Sequence, residues 1–307
     1  MEFMDSLLYS SLFDDSSDDD TNHVERKKKI FKIRINNLDL WDDQEFIERY
    51  RVSKKVALLL TRQIEDEIKF DTEKNLAVKP IDQVLATHQY YGSGSFMRYV
   101  GDMSGLHKST VCRIIHRVTR SIAQLRPSYM NTPPNNDERM AVATDFYKIS
   151  RFPKVLGAID CTHIQILSPG GENAEDFRNR KGTFSINVQV VGDANLCIRN
   201  IVARWPGSAH DSHIFNRSNL KCRLESSEFD NFWLLGDSGY ALRPYLLTLL
   251  NDPQTQARKY YNESHIRTRN AKERLFGLWK RRFPIIGTKL RSKLDNVQYI
   301  IVATAEN

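Results

Sequence analysis

The sequence predicts a mixed α/β fold, in which an all-helical region precedes a mixed sheet flanked by helices. Up to about residue 150 the apolar residues recur at helical spacing, whereas after Phe152 they alternate or form short continuous runs, as strands do. Three predicted strands follow one another, and helical segments separate them from a fourth predicted strand. This order favours a mixed sheet with helical crossovers.

The composition is typical of a chain that buries a sizeable core. Its 307 residues suffice for two ordinary domains, and 40% of them are hydrophobic. A mean hydropathy of -0.51 argues against a membrane protein. The first 20 residues have no basic segment and no long apolar run, so neither a secretory signal nor a transit peptide is expected. Four widely separated cysteines indicate isolated thiols in a reducing compartment.

The net charge of +7 hides a strong asymmetry along the chain. The first 20 residues contain seven acidic and no basic side chains, so the rest has 45 basic against 31 acidic residues, a charge of +14. Between Arg258 and Lys293 there are twelve basic and two acidic residues. Either a solvated helix face or a polyanionic partner explains such a segment.

The first 35 residues are predicted to form an unstructured tail, because they are polar and carry blocks of like charge. The run ERKKK from Glu25 to Lys29 is a weak nuclear-localisation signal. Helices are predicted from Asp42 onward. One begins behind Ser53 as its N-cap, and another follows Pro80 and stops at the glycines of 92–94. The predicted buried stripe of the helix behind Ser53 is Val56, Leu59, Leu60, Ile64 and Ile68.

Residues 95–125 have the pattern of a helix-turn-helix. A short helix is followed by a turn between Gly101 and Gly105, and then by a longer helix with a polar beginning. In a helix-turn-helix the second helix offers its first residues to base edges, and its basic residues contact phosphates. Lys108, Arg113 and Arg117 are the DNA-binding candidates there. Any three-helix bundle has the same periodicity, so that alternative stays open.

The domain boundary is predicted between residues 130 and 150, with a bridging helix over about 137–149. This divides the chain into a helical region, 36–150, and a second domain, 151–307. In the second domain, strands are predicted over 155–160, over two segments around the turn at 192–195, and at 232–236. A basic helix is predicted from Ser264 to Phe283.

Two of the predicted strands end in an aspartate, Asp160 and Asp237. Ligand sites of α/β sheets are built at strand ends. A third acid, Asp211, follows the loop 205–208, and a fourth, Glu273, lies among basic residues. Each one alone is more often a turn cap or an ion-pair partner than a metal ligand. Together they indicate a site for Mg²⁺ or Mn²⁺, which prefer oxygen ligands and, as a pair of ions, can promote phosphodiester hydrolysis.

Five segments occur in a characteristic order: GAIDCTHI (157–164), NRKG (179–182), WPGSAHD (205–211), GDSGY (236–240) and KERLFGLWKRRF (272–283). Together they resemble the DDE-type endonuclease domain of PIF/Harbinger transposases, in particular the domesticated Harbinger-derived nucleases of animals. The resemblance covers residues 75–303. It implies a ribonuclease H-like mixed sheet and metal-dependent phosphodiester hydrolysis or strand transfer on DNA.

The resemblance also implies roles for single residues. It places the catalytic triad on Asp160, Asp237 and Glu273, and a further metal ligand on Asp211. His163 is expected to be structural or to orient a ligand. The family usually continues beyond the last apolar helix, so the C-terminus is expected to be shortened. The basic candidates for contact with the DNA backbone are Arg180, Lys181, Lys280, Arg281 and Arg282.

The function predicted from these features is a DNA endonuclease that uses Mg²⁺ or Mn²⁺ and resides in the nucleus, with a cytoplasmic pool. Autonomous transposition is not expected. One alternative is a DNA-binding protein whose transposase fold is catalytically silent. Another is an active transposase, which by family resemblance would need a Myb/SANT-like DNA-binding partner. No membrane association is predicted, and homo-oligomerisation stays open.

Overall fold

The structure is a computed structural model that describes residues 34–70, 72, 76–226, 228–229 and 231–306. These described residues form one compact unit. The predicted tail and the ERKKK run therefore lie outside the described residues, except for Arg34 and Ile35. The guanidinium of Arg34 donates a hydrogen bond to the Ala77 carbonyl oxygen (3.0 Å). The folded part thus includes the last two residues of the predicted tail.

The N-terminal part is helical, as predicted. The helix Asp43–Tyr50, α2, begins with a capping box between Asp42 and Glu45. The helix Lys54–Ile68, α3, begins behind the predicted N-cap Ser53, whose hydroxyl accepts a hydrogen bond from the Val56 amide (3.3 Å). The first four helices are α1 (Asn37–Leu40), α2 (Asp43–Tyr50), α3 (Lys54–Ile68) and α4 (Pro80–Ser93).

The buried face of α3 differs from the predicted stripe. Val56 and Leu59 are 41% and 52% exposed, whereas Ala57 and Thr61 are buried. Both stripes satisfy the spacing of three and four residues, so periodicity alone does not distinguish them. The packing of α3 against α4 selects the second stripe.

Three further helices are α5 (Met97–Ser104), α6 (Lys108–Gln124) and α7 (Arg126–Tyr129). The turn predicted from Gly101 to Gly105 is shorter than expected, because Gly101 lies inside α5. A Cβ on Gly101 would stand 2.6 Å from the Leu106 carbonyl oxygen, so this glycine permits close packing. Gly105 ends α5 with a positive φ of 66°, and His107 is the N-cap of α6.

The bridging helix α8 (Asn136–Ser150) leads into a five-stranded sheet. The strands are β1 (Val155–Gln165), β2 (Ser185–Gly192), β3 (Ile198–Pro206), β4 (Trp233–Leu235) and β5 (Leu246–Leu247). Their order is β3-β2-β1-β4-β5, with β1, β2 and β3 antiparallel and β4 and β5 parallel to β1. The predicted mixed sheet is confirmed. Strand β5 was not predicted, because two residues carry no pattern.

Helices flank the sheet: α9 (Asp211–Asn216), α10 (Asn219–Glu225), α11 (Gln256–Arg269), α12 (Ala271–Arg282), α13 (Pro284–Gly287) and α14 (Leu294–Ala305). The single basic helix predicted over 264–283 is wrong, since α11 and α12 meet at Asn270. Asparagine favours helix ends because its side chain competes for backbone hydrogen bonds. None of the helices in the described residues has the length and apolarity needed to cross a membrane.

The main hydrophobic core is shared by the helical region and the sheet. It contains Ile64 and Ile115 from the helical region, Val188 from β2, and Leu275 and Ile300 from the C-terminal helices. Burial of apolar side chains from both regions in one cluster couples their stability. The predicted domain boundary between residues 130 and 150 stays a prediction.

Candidate carboxylate site

The register of the sheet brings Asp160 and Asp237 together. Strand β4 pairs in parallel with β1, and the last pair of that ladder is Leu235 opposite Ala158. Each aspartate lies two residues beyond a member of this pair, so the two carboxylates stand side by side where the ladder ends. Strand β1 itself continues to Gln165, so Asp160 lies within the strand and not at its end as predicted.

The third carboxylate reaches the site through the loop between β3 and α9. Asp211 is the first residue of α9, and its Oδ1 accepts a hydrogen bond from the Asn187 amide on β2 (2.9 Å). The same amide donates to the Ala209 carbonyl oxygen (2.9 Å). A Cβ on Gly207 would stand 2.5 Å from the Phe177 carbonyl oxygen, so only glycine allows the loop to lie this close. Oxygens of Asp160, Asp211 and Asp237 all lie within 4.8 Å of one another.

Two basic side chains neutralise Asp160, which is 8% exposed. Its Oδ1 accepts from the Cys161 amide (2.7 Å), and its Oδ2 contacts the ammonium of Lys272. Nη1 of Arg269 lies 3.7 Å from the same Oδ2. Burial lowers the pKa of Lys272 to about 8, while the charge of Glu273 raises it. Lys272 therefore remains protonated at neutral pH.

The contact of Lys272 with Asp160 was not predicted from the sequence, although a signal for it exists. Lys272 precedes Leu275 by three residues and Trp279 by seven, so all three lie on one face of α12. All three are buried. Leu275 packs against Gly192 of β2. A Cβ on Gly192 would stand 2.3 Å from the Cδ2 of Leu275. This packing turns Lys272 toward Asp160.

Glu273 lies on the outward side of the same helix turn. It is exposed and is not part of the group formed by the three aspartates. Because successive helix residues are about 100° apart, Lys272 and Glu273 point in different directions from α12. The assignment of Glu273 to the catalytic triad remains a prediction.

Cys161 and Tyr240 lie beside the carboxylates. The Cys161 Sγ is 3.5 Å from the Tyr240 hydroxyl. Burial raises the pKa of Cys161, and the charges of Asp211 and Asp237 raise it further. Burial also raises the pKa of Tyr240, with added contributions from Cys161 and the same two aspartates. Both groups therefore stay protonated, so neither has the character of an anionic nucleophile.

His163 lies next to this site without joining the three carboxylates. Its Nδ1 is 3.0 Å from the Ser185 hydroxyl, which also accepts from the Asn179 amide (3.0 Å). Burial lowers the pKa of His163, while the charge of Asp211 opposes the shift. The structural or orienting role expected for His163 stays a prediction.

The basic candidates of the second domain differ in their contacts. The Arg180 guanidinium lies 2.8 Å from His210 Nδ1. Lys280 donates to the Thr162 hydroxyl (2.7 Å) and Arg282 to the Arg51 carbonyl oxygen (3.0 Å), so both attach α12 to neighbouring elements. Four of the five candidates are exposed residues, and Lys280 is half-buried; the exposed ones are Arg180, Lys181, Arg281 and Arg282.

Helix α6 carries the other basic candidates. Arg113 and Arg117 line a cleft of about 510 Å³ together with Arg120 and His116, and Glu67 is the acidic residue of its lining. Arg117 donates to the Gln83 side chain (2.6 Å), but its Nε is buried without a hydrogen-bond partner. Burial lowers the pKa of Arg117, as does the charge of Arg113. Lys108 lies in the first turn of the same helix.

The residues present fit a divalent cation. The three aspartates offer only oxygen donors, which Mg²⁺ and Mn²⁺ prefer. The Asn187 Oδ1 is buried without a hydrogen-bond partner and adds a neutral oxygen near Asp211. Within the described residues, the ion pairs of Lys272 and Arg269 with the three carboxylates involve Asp160, so the charge of the other two is left for a cation to balance.

Comparison with known proteins agrees with this geometry. The model of the DDE superfamily endonuclease family matches residues 159–305, which contain all three aspartates. No solved structure matches the chain.

Several relatives match over most of the chain. The protein named "Putative nuclease HARBI1" of Homo sapiens is 31% identical over 271 residues, 87% of this chain and 77% of that protein. The protein of the same name from Mus musculus is 32% identical over 77% of this chain and 68% of its own length. "Protein ALP1-like" of Arabidopsis thaliana is 26% identical over 71% of this chain and 58% of its own length. The chain therefore belongs to the Harbinger transposase-derived family of proteins that carry a DDE superfamily endonuclease domain.

Proposed function

We propose that the protein is a DNA endonuclease that hydrolyses phosphodiester bonds with the help of Mg²⁺ or Mn²⁺. The observation that carries the proposal is the convergence of Asp160, Asp211 and Asp237 within 4.8 Å. Lys272 and Arg269 offset the charge of Asp160, whereas Asp211 and Asp237 repel each other unless a cation binds between them. Family membership supports the same reaction class, since several relatives are named nucleases.

In the proposed mechanism Asp160 and Asp237 would hold the metal where the β1–β4 ladder ends, and Asp211, which accepts a hydrogen bond from Asn187, would be a further ligand. A two-metal centre, when bound, activates a water and stabilises the leaving oxygen of the phosphodiester. Glu273 is proposed to complete the triad and to help to take a proton from that water. Tyr240 is buried in an apolar cluster, and its hydroxyl lies 3.5 Å from the Cys161 Sγ beside the carboxylates.

The test is nicking of supercoiled plasmid by the purified full chain in Mg²⁺, Mn²⁺ or EDTA. We expect cutting in at least one metal and none in EDTA. Cutting that persists in EDTA contradicts the proposal. A folded protein that binds DNA and cuts in neither metal favours the alternative of a catalytically silent DNA-binding scaffold.

The basic cleft on α6 is proposed to contact DNA phosphates through Lys108, Arg113 and Arg117. Arg113 is exposed at the cleft, and Arg117 lines it as well. In the second domain, Arg180, Lys181 and Arg281 are proposed to track the backbone. Lys280 and Arg282 would act mainly by holding α12 in place.

Replacing Arg113 by Gln is expected to weaken DNA binding, because one phosphate contact is lost. The slope of log affinity against log salt should fall by about one. Fluorescence anisotropy with a labelled duplex at several salt concentrations measures both quantities. Lys148→Gln is the matched control, since Lys148 is exposed on α8 and pairs with Asp145. Equal slopes for wild type and Arg113→Gln would favour the ordinary bundle over the helix-turn-helix.

The proposed substrate places the protein in the nucleus, and a mass of 35.7 kDa is compatible with a cytoplasmic pool. A Myb/SANT-like DNA-binding protein is the partner that the family resemblance implies. Homo-oligomerisation is a further proposal, and autonomous transposition is not part of the proposed activity. Imaging of the tagged full chain checks the location: exclusion from the nucleus contradicts it.

A further inference from the structure

Lys272 and Arg269 approach Asp160 from the two sides of Asn270, where α11 meets α12. The ammonium of Lys272 contacts Asp160 Oδ2, and one carboxylate oxygen of Asp160 lies within 4.8 Å of oxygens of Asp211 and Asp237. An ammonium and a divalent cation at one carboxylate group repel each other strongly in a partly buried site. Lys272 therefore competes with a metal for Asp160.

The side chain of Arg269 indicates that an anionic group binds beside Asp160. This side chain is 15% exposed, and its Nε and Nη1 are buried without a hydrogen-bond partner. Buried guanidinium donors without an acceptor are costly. A phosphate oxygen would supply the acceptor, since guanidinium groups bind phosphate oxygens well.

We propose that Lys272 is a transferable counter-ion. Before DNA binds, its ammonium pairs with Asp160. When DNA binds, a phosphate accepts a hydrogen bond from the Arg269 guanidinium and forms an ion pair with the Lys272 ammonium. Asp160 then loses this ion pair and is free to bind the metal. The lysine side chain allows this movement because its flexible four-carbon stem lets the ammonium shift about a fixed backbone. The inference rests on the proposed function and adds that DNA binding and metal binding are coupled.

Coupling between two sites typically changes affinity by about 5- to 150-fold. For wild type we expect a short DNA duplex with non-hydrolysable linkages to tighten Mn²⁺ binding about tenfold. Lys272→Met removes the competing charge and keeps most of the buried volume. In the absence of DNA, this variant should bind Mn²⁺ about tenfold more tightly than wild type does. Addition of the duplex should then increase its Mn²⁺ affinity little further. Electron paramagnetic resonance of free Mn²⁺ measures each affinity without any cleavage.

Two controls separate this role from bulk charge and from packing. Arg274→Gln removes the same charge from the same helix turn at an exposed position, so it should leave Mn²⁺ affinity within about twofold of wild type. Lys272→Arg keeps the charge, so it should retain the weak Mn²⁺ binding of wild type. If thermal unfolding shows that Lys272→Met does not fold, Lys272→Gln takes its place.

The inference is overturned if Lys272→Met binds Mn²⁺ no more tightly than wild type, or if Arg274→Gln tightens binding equally. Asp237→Asn distinguishes this failure from that of the proposed function. If wild type binds Mn²⁺ and Asp237→Asn does not, the metal site stands even when the role of Lys272 fails. If wild type binds no Mn²⁺ with or without DNA, both proposals are overturned.

Discussion

Asp237→Asn is expected to lower the rate of DNA cleavage by about 10³-fold or more. The aspartate supplies one of three converging carboxylates, and a metal centre contributes several kcal/mol to stabilising the transition state. Each 1.36 kcal/mol corresponds to about tenfold in rate. The fold should persist, because an asparagine oxygen can still accept from the Gly239 amide as the Asp237 Oδ1 does (2.9 Å).

Single-turnover nicking of plasmid in Mn²⁺ measures this rate, and anisotropy measures DNA binding in parallel. DNA affinity should not fall, since no basic contact is removed. Asp66→Asn makes the same chemical change at an exposed ion pair with Lys69 and should cut at the wild-type rate. Cleavage by Asp237→Asn within about tenfold of wild type would falsify the assignment of the site.

Asp237 is a better position for this test than Asp160, because substitution of Asp160 would also lower the stability of the fold. Asp160→Asn would leave the buried ammonium of Lys272 without its partner, which costs about 3–5 kcal/mol of stability. Glu273→Gln tests the remaining member of the predicted triad. A loss as large as that of Asp237→Asn supports the triad. A wild-type rate would limit the site to the three aspartates.

Phe283→Ala is expected to lower the free energy of unfolding by about 3–5 kcal/mol. Phe283 is fully buried at the end of α12 and packs its ring edge-on against Tyr91 of α4, with ring centroids 6.2 Å apart. Its ring also packs near the His88 ring, with the two ring centroids 6.5 Å apart. The residue thereby joins the sheet-covering helices to the N-terminal helical region, and truncation leaves a cavity between them.

Urea unfolding followed by circular dichroism measures this change. A single shared core predicts one cooperative transition that moves as a whole to lower urea. Leu278→Ala is the control on the same helix, because Leu278 is 45% exposed and its truncation should cost much less. Two separate transitions, with only one of them shifted, would show that the helical region and the sheet unfold independently.

Many elements of the fold followed from local patterns. Ser53 was predictable as an N-cap because capping depends on a few neighbouring residues. The mixed sheet followed from the order of apolar runs and helical segments, and the resemblance of five motifs indicated the DDE domain. The exposed Val56 and the break at Asn270 were mispredicted, because packing partners select among faces that a periodic pattern leaves equivalent.

By itself the sequence determined the residue types and spacing of the candidate site, with Asp160 and Asp237 each following an apolar strand segment. Only the tertiary structure decided which groups meet there. The β1–β4 register set the two aspartates side by side, and Asn187 brought in Asp211. The packing of α12 on the sheet turned Lys272 inward and Glu273 outward. The physical reason is that local patterns specify positions along one element, whereas contacts between elements depend on close packing across the whole core.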